Sequence, residues 1–165
     1  MAKSAPVADK DARKANKRGA ARLAAVQALY QMEVSEKGLN ETFAEFESFW
    51  IGNEIEGERY KSAEIAFFRD ILTGVLADQG PIDRSIDQTL VEGWPLARVD
   101  AVLRAILRAG TYELKKRADI PARVSIKEYV DVAGAFFDRE ESGMVNAVLD
   151  GLARRYRASE FEPRN

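Results

Sequence analysis

The chain has 165 residues, of which 46% are hydrophobic and 32% charged, and it contains neither cysteine nor histidine. That length suits one compact domain burying on the order of 70% of its unfolded surface. The two missing residue types exclude disulfides, thiolate nucleophiles and ordinary zinc sites, and they remove the side chain best suited to proton transfer near neutral pH. The formal charge of −2 hides an asymmetry, because residues 1–25 carry seven cations against two acids, a net +5, and the other 140 carry −7. A basic arm on an acidic body is a footprint of binding to nucleic-acid phosphates, and equally of a solvated tail. No apolar run approaches the ~20 residues of a membrane span. The opening MAKSAPVADKDARK lacks the apolar stretch of a secretory signal, so a cytoplasmic protein is expected.

Residues 1–15 are polar, contain Pro6 and lack an apolar period, which predicts a disordered basic arm. A domain is expected over residues 16–157, followed by a flexible tail over 158–165. Asn16 can cap a first helix in which Leu23, Val26, Leu29, Tyr30 and Val34 recur at helical spacing, with Gly38 as the stop. A second helix runs from Asn40 through Phe43, Phe46, Phe49 and Trp50, an aromatic run whose spacing fits a buried face better than a base-stacking platform. Residues 52–61 read as a loop, and Ser62 caps a third helix carrying Ile65, Phe68, Leu72, Val75 and Leu76. Pro81 suits the first position of a short fourth helix through Ile82, Ile86 and Leu90, and Gly93 and Pro95 then break the chain.

Residues 98–117 form the stretch around which the rest is arranged. Val99, Val102, Leu103, Ile106, Gly110 and Leu114 share one side of a helix that Ala105 and Ala109 widen, Leu107 and Tyr112 fall on a second flank, and a central helix covered on more than one side is expected. Arg104 and Arg108 lie one turn apart on the remaining flank, either as a solvated face or as a cation pair aimed at a phosphate backbone. After a connector with Pro121, Ser125 to Glu128 has capping-box spacing and opens a sixth helix. Asp138 and Glu141 can cap a seventh, lined by Met144, Val145, Val148, Leu149 and Leu152. No alternating run is bounded by hairpin residues, so the predicted class is all-α with about seven helices.

Catalytic constellations are thin. Asp138, Glu140 and Glu141 fit stabilisation of a helix start better than an acid pair. Neither GxGxxG nor GxxxxGK[ST] occurs, and no serine has a histidine partner. A non-enzymatic binding protein without cofactor or metal is expected.

Four stretches then act together: ARLAAVQALYQ (Ala21 to Gln31), FFRDILTGV (Phe67 to Val75), ILRAGTYEL with DIPARVSIKEYVDVA (Ile106 to Ala133) and MVNAVLDGLA (Met144 to Ala153). In this order they resemble the bacterial NusB transcription antitermination family over roughly residues 17–156. The resemblance implies two small packed helical bundles and no catalysis. It implies pairing with NusE, a protein of the small ribosomal subunit, binding of single-stranded boxA RNA, and read-through by the transcription elongation complex in ribosomal RNA operons. Two alternatives stand beside it: a helical interaction scaffold or homodimer that binds no RNA, and a stand-alone relative of the RNA-engaging domain of ribosomal RNA cytosine methyltransferases.

Carried over residue by residue, the family's arginine-rich start falls on KANKRGAAR, so Lys14, Lys17, Arg18 and Arg22 become candidate RNA contacts, while Gly19 and Ala20 dilute the motif. Gln27 joins that RNA-binding set and Tyr30 is the candidate partner-binding residue. Arg108, with Arg104 one turn before it, matches the cationic position of the central helix. Glu140 corresponds to an acid of some relatives, and Met144 stands where relatives often carry phenylalanine, which stacks on a base as methionine cannot.

Overall fold

A computed structural model describes residues 7–52, 58–91 and 94–163, with side chains described except at 7–17, 49–52 and 58–63. Within that range the chain is all-α. Seven helices follow one another: α1 Val7–Ser35, α2 Leu39–Gly52, α3 Glu58–Ala77, α4 Gln79–Thr89, α5 Ala101–Lys116, α6 Ala122–Phe136 and α7 Arg139–Tyr156. Short 3-10 turns occupy Leu96–Arg98 and Ala158–Phe161. The first three helices pack on one another, α6 and α7 pack on each other, and α5 touches α1, α3, α4, α6 and α7. The predicted central helix is therefore the element shared by two small bundles. Its Ala105, Ile106, Leu107, Ala109 and Leu114 are all buried, which is why the apolar residues of this stretch spill beyond one stripe.

Close approach depends on two glycines. A Cβ at Gly74 of α3 would lie 2.0 Å from Tyr112 Cε2, and one at Gly110 would lie 2.9 Å from Leu149 Cδ1, so α5 sits against both neighbours at distances that only glycine permits. The Tyr112 hydroxyl donates to Asp70 at 2.8 Å, which pins α5 to α3 beside that contact.

Helix ends differ from the sequence expectation in instructive ways. Helix α1 begins at Val7, ahead of Asn16, so part of the arm expected to be disordered is helical. Its alanines, lysines and arginines are strong helix formers, and Asp9 and Arg13 stand at a favourable spacing of four. It ends at Ser35, with Glu36 in the left-handed region at φ 56°, so the stop lies two residues before Gly38. Helix α3 begins at Glu58, inside the segment read as a loop, so Ser62 is its fifth residue and the reading of Ser62 as its cap is corrected; the Phe49 and Trp50 side chains lie outside the described residues. Helix α6 starts at Ala122 with Pro121 as its cap; Ser125 is buried inside the helix, and the capping-box reading is corrected. Asp100 caps α5 through its side chain, accepting from the Val102 amide at 2.8 Å.

The expected flexible tail is also corrected. Arg157 is buried, and its guanidinium donates to the carbonyls of Glu113, Leu114, Arg117 and Ile120 at 3.2, 2.8, 2.5 and 3.0 Å. These carbonyls lie at the end of α5 and in the connector that follows it, and those of Glu113 and Arg117 also accept from the Arg117 and Ile120 amides. Glu160 accepts from Arg157 and, at 2.9 Å, from the Ala122 amide, so residues 158–161 are folded onto the start of α6.

The innermost polar contact joins three helices. Arg22 of α1, 1% exposed, meets Glu113 of α5, 0% exposed, in a bidentate pair with Nε to Oε2 at 2.8 Å and Nη2 to Oε1 at 2.9 Å. Ser125 of α6 donates to the same carboxylate at 3.2 Å, and Glu128 Oε2 lies 3.8 Å from Arg22 Nη1. Burial opposes the Arg22 charge, yet the hydrogen bond to Glu113 and the charge of that carboxylate hold it above its ordinary range. The Tyr129 ring lies under the guanidinium at 5.9 Å, and its phenol is pushed well above its usual pKa by burial first and by Glu113 second.

Three stability measurements check this description. Glu36→Gly should stabilise by up to about 1 kcal/mol, since an L residue in the left-handed region costs on that order; an unchanged or lower urea midpoint would count against it. Gly74→Ala should destabilise by about 1–3 kcal/mol or more through overpacking on Tyr112, and Tyr112→Ala in the same chain should partly recover it. Arg22→Ala and Glu113→Ala should each cost about 3–5 kcal/mol, because either leaves a buried charge alone, whereas the double change should cost less than the two added.

Candidate nucleic-acid interface

The structure sorts the residues singled out in the sequence into three groups. Arg22 is withdrawn from the RNA-binding set: its guanidinium is committed to Glu113 and shielded by Phe67 and Tyr129, at 5.1 and 5.9 Å from the ring centroids. Its position explains why. Arg22 precedes Val26 by four residues and Leu29 by seven, so it lies on the buried stripe of α1.

Arg104 and Arg108 are corrected as well, for they neither form a solvated face nor point to open space. Arg104 pairs with Glu33 of α1 and donates to the carbonyls of Leu96 and Val99 at 3.2 and 2.5 Å, which fixes the turn before α5. Arg108 holds Asp83 of α4 in a bidentate pair at 2.8 and 2.9 Å and reaches Glu33 at 3.4 Å. These cations clamp α1, α4 and α5 together. Their side chains are only 12% and 14% exposed.

Arg18 is different. It is half-buried at the point where α1 emerges from the core, its guanidinium stands 5.4 Å from the Phe67 ring centroid, and no carboxylate among the described residues is within ion-pair distance of it. Nearby, Arg117 at the end of α5 binds Asp119 through two bonds of 2.9 Å and Asp70 at 3.0 Å. The bonds from Arg117 pull the Asp119 carboxyl down to about 2. The side chains of Lys14 and Lys17 lie outside the described residues, one and four positions before Arg18 along α1.

Gln27 and Tyr30 are both exposed on α1. Gln27 lines an open groove of about 440 Å³ between α1 and α2, together with Leu23, Ala24, Gln31 and Phe46. Tyr30 is 38% exposed, and Val34, one turn on, is 60% exposed. Glu140 is exposed in the first turn of α7, and Met144, one turn later, is half-buried against the core. The structure thus places Arg18 in the middle of α1, Tyr30 with Val34 toward its carboxyl end, and Glu140 and Met144 on α7.

Sequence reasoning missed Glu113, Phe67 and Arg157. Glu113 is three residues after Gly110 and seven after Ile106, an acid on a buried stripe, and that was the available signal for a buried charge pair. Among the described residues no cluster of three acids could hold a metal ion, and no helix is long and apolar enough to cross a membrane.

Comparison with known proteins places this arrangement. The transcription antitermination protein NusB of Rhodopseudomonas palustris strain TIE-1 is 68% identical over 152 residues, covering 92% of this chain and 87% of that protein. Its namesake in Nitrobacter hamburgensis is 64% identical over 149 residues, covering 90% and 93%. Among solved structures, T. maritima NusB shares the fold with a TM-score of 0.72 at 30% identity, over 88% of this chain and 97% of that one. A crystal structure of the antitermination factors NusB and NusE in complex with dsRNA shares it with a TM-score of 0.71 at 23% identity, over 86% and 98%. The pattern of the NusB family matches residues 19–154, from the first buried turn of α1 almost to the end of α7, and the chain belongs to the NusB family.

Proposed function

We propose that this chain is a non-enzymatic transcription antitermination factor that binds the single-stranded boxA element of nascent RNA together with NusE. In that role it promotes read-through by RNA polymerase, in ribosomal RNA operons above all. The observation that carries the RNA-binding reading is the division of labour among the arginines. Of the arginines singled out in the sequence, Arg22, Arg104 and Arg108 are paired with acids, whereas Arg18, in the middle of α1, forms no ion pair and feels only the more distant charge of Asp119. An unpaired guanidinium beside Lys14 and Lys17 suits an RNA backbone, whose phosphates position the strand without reading its bases. Relatives named for antitermination, and a NusB fold crystallised with NusE and RNA, support the same reading.

Tyr30 and Val34 supply the complementary surface. An exposed tyrosine beside an exposed valine on one helix face suits a protein partner, since aromatic anchors dominate interface energetics. We assign this face to NusE. Glu140 and Met144 border the RNA in this reading, where a thioether in place of a ring tolerates more than one base.

The test is a titration of labelled boxA-like RNA and a scrambled control, with and without NusE, at several salt concentrations. Arg18→Ala should flatten the slope of log affinity against log salt by about 0.7, equally for both RNAs. An unchanged slope would reject Arg18 as a phosphate contact. Tyr30→Ala should weaken NusE binding by about five- to thirty-fold while leaving RNA binding by the isolated chain intact. Loss of RNA binding alone, with NusE affinity preserved, would assign Tyr30 to the other surface.

A further inference from the structure

One ring gathers three cations. The guanidiniums of Arg18 and Arg22, one turn apart on α1, and of Arg117, at the end of α5, stand 5.4, 5.1 and 5.1 Å from the centroid of Phe67 on α3. The ring is 5% exposed, so its interaction with a cation is little screened by water.

The three cations are held in different ways. Arg22 is neutralised by Glu113, and Arg117 by Asp70 and Asp119. Arg18 has the ring. A carboxylate partner would fix its side chain but cancel its charge, whereas an aromatic quadrupole attracts a cation and leaves the whole charge available to a third group. A long side chain loses much of its rotamer freedom when it binds a phosphate, and a chain already resting on a ring has lost part of that freedom beforehand.

We propose that Phe67 is a positioning residue for RNA: it orients Arg18 toward a phosphate without discharging it, although Phe67 itself touches no RNA. This rests on the reading that Arg18 meets RNA. The consequence is that RNA affinity on α1 depends on a buried ring of a different helix.

The test uses the full chain with NusE and labelled boxA-like RNA. Phe67→Leu should bind about two- to five-fold more weakly than the parent, Phe67→Tyr, which keeps the ring, should restore binding, and Phe67→Leu added to Arg18→Ala should cost nothing further. Unchanged affinity in Phe67→Leu, or losses that simply add in the double variant, would overturn the proposal. If Arg18→Ala alone leaves binding unchanged, the assignment of Arg18 to RNA fails and Phe67 has nothing to position. Weakening by Arg18→Ala without weakening by Phe67→Leu rejects only the role of the ring. Should Phe67→Leu fail to fold, nitrogen relaxation of the Arg18 side chain in the unaltered protein decides. An ordered Nε–H without RNA is expected, and free rotation would overturn the idea.

Discussion

The pair between Arg22 and Glu113 is the constraint on which the arrangement depends. Taking a guanidinium and a carboxylate out of water is expensive, and it is tolerated only when the two meet with good geometry and their remaining donors and acceptors are occupied. Here the bidentate contact, the Ser125 hydroxyl, the Glu128 carboxylate and two aromatic rings meet that condition with residues from four helices. A slide of α1 along α5 by one turn would leave both charges stranded. The pair therefore fixes the register of α1 against the second bundle more sharply than the surrounding alanines, leucines and valines can, since apolar side chains of similar volume exchange partners at modest cost.

That register determines what α1 offers to solvent. Because Arg22 is drawn inward, Arg18, one turn before it, falls at the rim of the core, and Gln27, Tyr30 and Val34 are exposed on the opposite side of the helix. One helix thus carries Arg18 on one side and an exposed tyrosine on the other, held in a constant relation by the buried contact between them. The same logic applies to Arg104 and Arg108, whose ties to Glu33 and Asp83 hold the far end of α1 against α4 and α5. Cations that look available in the sequence are spent on joining helices.

Much of the fold was legible because helical periodicity is a local property. The stripe of Leu103, Ile106 and Leu114, the breaks near Pro95 and Pro121, and the succession of seven apolar faces follow from residues three and four apart. The site was legible only in part, because pairing is not local. Arg22 and Glu113 are 91 residues apart, and nothing in the spacing of either one announces the other. Arg104 and Arg108 on a polar flank look like a solvated face until Glu33 and Asp83 arrive from other helices. Ser125 to Glu128 mimics a capping box, but Pro121 starts the helix earlier, and the serine turns inward to Glu113. The family resemblance pointed to α1 as a whole, but could not say which of two arginines one turn apart is buried.

The guanidinium of Arg157 links the last turn of the chain's final long helix to the end of its central one. During synthesis α5 emerges well before residue 157, so for that interval the carbonyls of Leu114 and Ile120 lack this donor and the carboxyl end of α5 is free to fray. The amino-terminal helices can gather around the earlier turns of α5, but the central helix reaches its full length only when the last turn of α7 has left the ribosome and folded back. Closure of the carboxyl end of α5 is thereby coupled to synthesis of residue 157, and a chain stalled before it would carry a core that is packed yet unlatched.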